Sequence, residues 1–201
     1  MGTRFLTAVF ADGQYRVAQY GQWDGYPEGA GVNILHFLRD ELDEPRFRTE
    51  LEKLRFADSE RLWELRRRFG AYEDGSISVA DYNRLKRVFP EFHRDTGEDI
   101  LRLIQNGDVL SGALENRLAF AGGSLFCEWA YVVDFDKRTF EVYKGFNEEP
   151  LDPFERFAEL ECDDDGYYQV KLAASWPLDN LPTDEEFLEV LRVTEDEDDD
   201  E

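Results

Sequence analysis

The spacing of hydrophobic and polar residues changes along the chain, and this spacing predicts the first elements of secondary structure. Residues 3–11 are rich in β-branched and aromatic side chains, Asp12-Gly13 is a strong two-residue turn signal, and residues 14–20 continue the extended pattern. From Val32 onward, apolar residues recur every three or four positions, as they do on one face of an amphipathic helix. The chain is therefore expected to begin with a β-hairpin that leads into helices.

Capping residues divide the middle of the chain into about five helices. Asp58 or Ser59 can cap the third of them. Ser78 with Asp81 resembles a capping box at the start of the fourth. Thr96 can cap the fifth, which Asn106-Gly107 is expected to end. These positions predict a central helical segment.

The pattern returns to strands in the last third of the chain. The elements expected there are strands over 125–135 and 139–143, a helix over 153–160, a strand over 167–174 and a helix over 183–191. Strands at both ends with helices between them indicate an α+β fold. Its antiparallel or mixed sheet would be built from the N-terminal and C-terminal hairpins, with the central helical segment packed on it.

The same pattern predicts the domain organisation. Residues 1–193 are expected to form a single α+β domain with a helical insertion at about 32–106. Every residue from 195 to 201 is acidic, so residues 194–201 are expected to form a disordered acidic tail.

The most unusual segment is the box Gln22-Trp23-Asp24-Gly25-Tyr26-Pro27, at the junction between the first hairpin and the first helix. Such junctions often hold binding sites. We interpret Asp24 as a candidate acid or base, and Arg4 as a candidate ligand for a carboxylate or phosphate. The side chains predicted to contact a ligand are Thr3, Gln22, Trp23 and Tyr26. The alternative is a rigid connecting loop, in which Asp24 caps backbone amides and Trp23 packs on the core.

The N-terminal residues Met1-Gly2-Thr3-Arg4, together with this box, carry a resemblance. They are similar to a family of uncharacterised proteins from bacteria, phages and fungi that begin in the same way and contain a Trp-Asp-Gly-Tyr-Pro or related box. The segments 128–134 and 140–143 also resemble that family's second hairpin. The resemblance implies no activity, but it implies that the box belongs to the start of the chain.

The net charge of the chain limits the classes of function that are expected. The formal net charge is −23, and residues 146–201 carry 21 acidic side chains against three basic ones. A surface this negative repels nucleic-acid backbones and anionic membranes, so direct nucleic-acid binding and membrane binding are not expected. No segment has the length and hydropathy of a membrane span or a secretory signal, and a cytoplasmic location is expected.

Three interpretations of function follow from these features. The preferred one is a pocket at the box that binds, or acts on, a small anionic or polar ligand. The second is an acidic interaction module whose C-terminal quarter binds a basic protein partner, for example as a nucleic-acid mimic or a phage or host-defence factor. The third is acidity that reflects only genome composition or adaptation to salt.

Metal and cofactor sites are not expected. The two cysteines, Cys127 and Cys162, and the two histidines, His36 and His93, lie far apart in sequence, and their spacing does not support zinc. Both histidines are interpreted as structural. Residues 72–81 resemble only the second half of a calcium-binding loop. A turn followed by a capped helix explains them better, and a solvated turn explains the acidic run 163–165.

Overall fold

The fold is described by a computed structural model that covers residues 2–72, 74, 76–162 and 166–198, with side chains in the last helix as far as Arg192. Within this part of the chain it confirms the predicted α+β class. The strands are β1 (Phe5–Ala11), β2 (Gln14–Gly21), β3 (Arg55–Phe56), β4 (Ala113–Leu114), β5 (Trp129–Asp134), β6 (Thr139–Lys144) and β7 (Lys171–Pro177). The helices are α1 (Val32–His36), α2 (Glu44–Leu51), α3 (Ser59–Arg68), α4 (Val79–Val88), α5 (Ile100–Asn106) and α6 (Asp184–Asp198).

The main sheet has five strands in the order β2-β1-β5-β6-β7 and is mixed. The pairs β1–β2, β5–β6 and β6–β7 are antiparallel, whereas β1 and β5 run parallel at the centre, with Phe5 opposite Trp129 and Leu6 opposite Ala130. The N-terminal hairpin therefore joins the C-terminal strands through one parallel seam. The short strands β3 and β4 form a separate parallel pair.

The turn of the first hairpin is Asp12-Gly13, as the sequence predicts. Both residues have positive φ, 56° and 75°, which a two-residue turn between antiparallel strands requires. The side chain of Asp136, in the β5–β6 turn, accepts hydrogen bonds from the backbone N–H groups of Asp12 and Gly13 at 3.0 and 2.7 Å. The turns of the two hairpins are thereby fastened to each other.

Capping residues set the starts of α2, α3 and α4. Asp43 accepts a hydrogen bond from Arg46 N–H at the start of α2, and Asp58 does the same with Arg61 N–H at the start of α3. Ser78 Oγ accepts from Asp81 N–H at 3.1 Å, so the predicted caps of α3 and α4 are confirmed. Each cap satisfies a backbone donor that the first helical turn leaves free.

Thr96 does not cap α5, so that prediction is wrong. Its hydroxyl donates instead to the carbonyl oxygen of Pro90 at 2.5 Å, and a 3₁₀ turn at Gly97–Asp99 precedes the helix. The predicted end of this helix is confirmed, because Gly107 follows α5 with φ 77°, the left-handed conformation that glycine adopts without strain.

Other boundaries also differ from those expected. Strand β5 begins at Trp129 rather than at 125. Residues 153–160 form turns rather than a helix, because the side-chain amide of Gln169 binds the carbonyl oxygens of Ala158 and Leu160. Strand β7 begins four residues later than predicted, at Lys171. Helix α6 continues into the predicted tail as far as Asp198, and the rest of that tail, 199–201, lies outside the described residues, as does the acidic run 163–165.

Both faces of the main sheet are buried. On one face, alternate side chains of the central strands pack against α1, α2, α5 and α6; the fully buried members include Phe5, Val9, Tyr131, Val133, Phe140 and Phe187. The opposite face, which includes Leu6, Val132 and Tyr143, is covered by the turns around residues 118–122 and 151–160. Burial on both sides explains why every residue of β5 is buried.

A cluster of charged groups lies within the second face. The Arg156 guanidinium binds Asp134 through Nη2 and Glu141 through Nε, the latter at 2.6 Å, and Tyr143 donates its hydroxyl hydrogen to Glu141 at 2.6 Å. All four side chains are largely or completely buried. Arg156 therefore ties the turns at 151–160 to β5 and β6.

Helices α3 and α4 pack beyond the β2 edge of the sheet rather than on its face. Their buried side chains, Leu65, Phe69 and Leu85, are not part of either cluster that covers the sheet. Phe69 contacts Phe89 edge-on, with ring centroids 5.5 Å apart. The space between this helical pair and the end of β2 forms a cavity.

Candidate functional site

The predicted box follows β2 and forms an exposed loop. Asp24 has φ 55°, a left-handed conformation that aspartate tolerates better than most residues. Its carbonyl oxygen accepts a hydrogen bond from Ala30 N–H at 2.9 Å, but its exposed carboxylate bonds no described residue. Tyr26 is also exposed. The loop conformation is thus stabilised through its backbone and leaves the Asp24 side chain free.

Arg4 and Asp24 do not pair with each other. Arg4 Nε lies 3.8 Å from Glu128 Oε1, and its guanidinium stacks over the ring of Phe126, 4.8 Å from the centroid. Thr3 is buried, and its carbonyl oxygen accepts from Gly25 N–H at 3.1 Å. The six residues that the sequence suggests therefore do not meet in one pocket.

Gln22 and Trp23 connect this loop to a distant turn. Gln22 N–H donates to the carbonyl oxygen of Arg94 at 3.0 Å, and Trp23 Nε1 donates to Asp95 Oδ1 at 3.2 Å. The Trp23 ring lies directly on Gly2, where a Cβ atom would come within 2.2 Å of Trp23 Cε3. The box thus holds residues 93–95 in place.

That turn forms part of the wall of a cavity of about 660 Å³ between the end of β2 and the α3–α4 pair. Neither Asp24 nor Tyr26 lines it. The lining side chains fall into an aromatic and apolar group (Tyr20, Ala71, Ile77, Tyr82, Leu85, Phe92, Ala119, Phe120) and a polar group (Gln19, Arg66, Glu91, His93, Arg94, Glu115, Asn116, Arg117). A volume of this size suits a small organic ligand.

His93 is the most deeply buried basic group of the cavity, with only 3% of its surface exposed. Its Nδ1 accepts a hydrogen bond from Asp95 N–H at 3.1 Å, so a neutral ring carries its proton on Nε2. Burial lowers the pKa of His93, although the Asp95 carboxylate opposes the shift. Nε2 has no hydrogen-bond partner among the described residues and is available to donate to a ligand.

Glu91 is a second buried group in this wall. Its Oε1 lies 2.5 Å from Ser111 Oγ, while Oε2 is buried and has no hydrogen-bond partner in the described part of the chain. Burial raises the pKa of Glu91, although the hydrogen bonds from Ser111 lower it. Ser111 donates both its hydroxyl hydrogen and its backbone N–H to Glu91 Oε1. Burial therefore favours the neutral acid, and the hydrogen bonds from Ser111 oppose it.

Three arginines line the cavity against one accessible carboxylate. Arg66 and Arg117 both bind Oε1 of Glu115, at 3.0 and 2.7 Å. The Nε of Arg94 lies 3.9 Å from Asp95 Oδ1, which is too far for a hydrogen bond. Even with Glu91 counted, three arginines face two carboxylates, Glu91 and Glu115, around the cavity of a protein whose net charge is −23.

A smaller cavity of about 350 Å³ adjoins the first and shares Tyr20, Ala119 and Phe120 with it. Arg4 and Phe126 form its far side. The rings of Tyr20 and Phe120 meet edge-on with centroids 5.0 Å apart, and they form the shared wall. Arg4 is therefore the one predicted site residue that lines a cavity described here.

Sequence reasoning did not identify the residues that dominate the larger cavity. His93 was interpreted as structural, although residues 89–95 interleave acid, base and cation types with aromatic ones directly after a helix. That local composition is the one sequence feature that indicates a site at residues 89–95. Arg66 and Arg117 are brought to the cavity only by the tertiary fold, and no local pattern marks them.

Comparison of the chain with models of protein families, with curated proteins and with solved structures finds no match. Among the described residues, no group of three or more histidine, cysteine, aspartate or glutamate side chains is arranged to hold a metal ion. No helix in that part of the chain has both the length and the hydropathy needed to cross a membrane.

Proposed function

We propose that the protein binds a small molecule that carries an anionic group on an aromatic or apolar body, and that the larger cavity is the binding site. The observation that carries the proposal is the sign of the charge there. Three arginines surround the cavity, while the chain as a whole has 46 acidic residues against 23 basic ones. A concentration of positive charge in an acidic protein attracts an anion into one place and disfavours it elsewhere.

Arg94 is the principal ligand for the anion in this proposal. Its side chain is 54% exposed and makes no hydrogen bond to Asp95 at the observed 3.9 Å, so its donors are free for a carboxylate or phosphate. Arg66 and Arg117 both bind Glu115, and a bound anion could replace Glu115 as the partner of either arginine. Gln22 and Trp23 contribute indirectly, because they fix the turn on which Arg94 lies.

His93 and the aromatic side chains would provide selectivity. The Nε2–H of a neutral imidazole is a directional donor, which a ligand acceptor can meet only in a restricted geometry. Tyr20, Tyr82, Phe92 and Phe120 offer rings to a flat apolar body. The expected ligand is therefore an aromatic or hydrophobic acid rather than a bare inorganic anion.

Naphthoate and its uncharged amide are a matched pair of probes for this site. Calorimetric titration is expected to detect naphthoate binding and about tenfold weaker binding of the amide, the difference that one charge-assisted contact produces. Arg94→Ala should weaken naphthoate binding by about tenfold, whereas Arg87→Ala should not, because Arg87 is an exposed α4 residue that lines neither cavity.

A steric test locates the site independently of charge. Ala119 is exposed and lines the cavity, so Ala119→Trp should fill the mouth and abolish naphthoate binding without lowering the thermal midpoint. The proposal is overturned if the unaltered protein binds neither probe, or if naphthoate binds equally well to the Arg94 and Ala119 variants.

A further inference from the structure

The second cavity extends the first toward another arginine. The two cavities share the wall formed by Tyr20, Ala119 and Phe120, and Arg4 lies on the far side of the smaller one. The larger cavity has Arg94 and Arg117 in its lining. Cationic groups therefore stand at both ends of a trough whose middle is aromatic.

The position of Tyr20 supports this arrangement. Burial raises the pKa of its hydroxyl, while the charges of Arg4, Arg94 and Arg117 all act to lower it. The hydroxyl donates to Gln22 Oε1 at 2.7 Å, which fixes the ring between the two cavities. All three arginines are thus close enough to act on one side chain.

Arg4 retains unused donor capacity. Its Nε is buried and has no hydrogen-bond partner in the described part of the chain, and the nearest carboxylate oxygen, Glu128 Oε1, is 3.8 Å away. That oxygen accepts instead from the backbone N–H of Arg4 at 3.2 Å. The Nη groups of Arg4 make no hydrogen bond to a described residue and the side chain is 24% exposed, so they can donate to an anion in the smaller cavity.

We propose that the natural ligand is a rigid or semi-rigid molecule with two anionic groups, one held by Arg94 in the larger cavity and the other by Arg4 in the smaller, with its aromatic body against Tyr20 and Phe120. This inference rests on the proposed function and specifies its ligand class. Dicarboxylates and aromatic compounds with two acidic substituents belong to that class.

Dicarboxylates of three rigid lengths, based on naphthalene, biphenyl and stilbene, test the inference against their monocarboxylates. At the length that fits, the dicarboxylate is expected to bind about tenfold more tightly than its monocarboxylate, the contribution of one further charge-assisted contact. Arg4→Gln should abolish this advantage and leave the monocarboxylate affinity unchanged. Glu128→Gln should widen it, because Arg4 then loses its competing carboxylate.

The outcomes separate the two proposals. If a monocarboxylate binds at the larger cavity but no dicarboxylate exceeds the twofold statistical advantage of two equivalent ends, the two-anion inference is wrong and the proposed function stands. If no carboxylate binds, both fail. Thermal unfolding of the Arg4 and Glu128 variants identifies a loss of fold. The two substitutions are expected to change the affinity advantage of the dicarboxylate in opposite directions, which destabilisation alone cannot produce.

Discussion

Trp23 Nε1 donates a hydrogen bond to Asp95 Oδ1 over 3.2 Å, which joins residues 72 positions apart in the chain. Lys86 Nζ binds the other oxygen of the same carboxylate at 2.9 Å. Although burial opposes the shift, the hydrogen bond from Lys86 lowers the pKa of Asp95, so the aspartate stays ionised. The loop after β2, helix α4 and the turn at 93–95 are connected through this one side chain.

Replacing Trp23 with phenylalanine tests this connection. The smaller ring can still cover Gly2, but the donor to Asp95 is lost, so the free energy of unfolding should fall by about 1 kcal/mol. Naphthoate affinity should also fall, because the turn that carries Arg94 loses one attachment. Urea unfolding and calorimetry measure the two effects. Unchanged values for both would show that this hydrogen bond does not position the turn.

Replacing Glu91 with glutamine should stabilise the protein most at high pH. The amide oxygen can accept from Ser111 as Glu91 Oε1 does, but the side chain cannot ionise. Urea unfolding at pH 5 and pH 8 is expected to give similar stabilities for both proteins at pH 5 and a more stable variant at pH 8. Glu52→Gln, at an exposed position, is the control and should show no such pH dependence.

The sign of that effect follows from proton binding. Burial raises the pKa of Glu91 in the folded state, so above the pKa of an unfolded glutamate the folded protein holds a proton that the unfolded chain has released. The contribution of Glu91 to stability is therefore fully present below the unfolded pKa and is lost as pH rises through the folded pKa. A wild-type contribution that increased with pH would contradict the assignment of Glu91 as a neutral acid.

Arg156→Met should be strongly destabilising. The substitution leaves Asp134 and Glu141 buried without a cation, and removing one partner of a buried ion pair costs about 3–5 kcal/mol. Adding Glu141→Leu and Asp134→Asn to the same protein should recover most of the loss in urea unfolding. Asparagine keeps an acceptor for the turn N–H groups that Asp134 binds. Failure to recover would indicate that the cluster does more than neutralise its own charges.

Naphthoate affinity should increase little when the pH falls from 8 to 6.5. Burial lowers the pKa of His93, so at pH 6.5 the imidazole is less protonated than an unshifted one would be and gains less positive charge over this interval. An imidazole with an ordinary pKa would become charged at the lower pH and bind a carboxylate more tightly. Calorimetry at the two pH values distinguishes these cases, with His93→Gln as the pH-insensitive reference.

Local patterns in the sequence predicted the elements that depend on local chemistry. The Asp12-Gly13 turn, the cap at Asp58 and the glycine after α5 each require particular residue types within a few positions, and each is observed. Thr96 had the correct residue type for a cap, but Pro90 offered its hydroxyl a different acceptor. A tertiary contact of this kind leaves no trace in a local pattern.

The candidate site was predictable only in part for the same reason. The box after β2 was recognised as unusual, and two of its residues do hold a turn of the cavity wall in place. Its distinctive composition therefore coincides with residues that support the wall of the neighbouring cavity. The arginines of the cavity come from three separated segments, so their convergence becomes visible only once the chain is folded.

The parallel pairing of β1 with β5 has a consequence for how the chain folds. Phe5 must find Trp129, so more than half of the chain has to be present before the centre of the sheet can close. Contacts this distant in sequence slow folding and leave the first hairpin with an open, hydrophobic edge in the meantime. During synthesis that edge stays unpaired until β5 has been made.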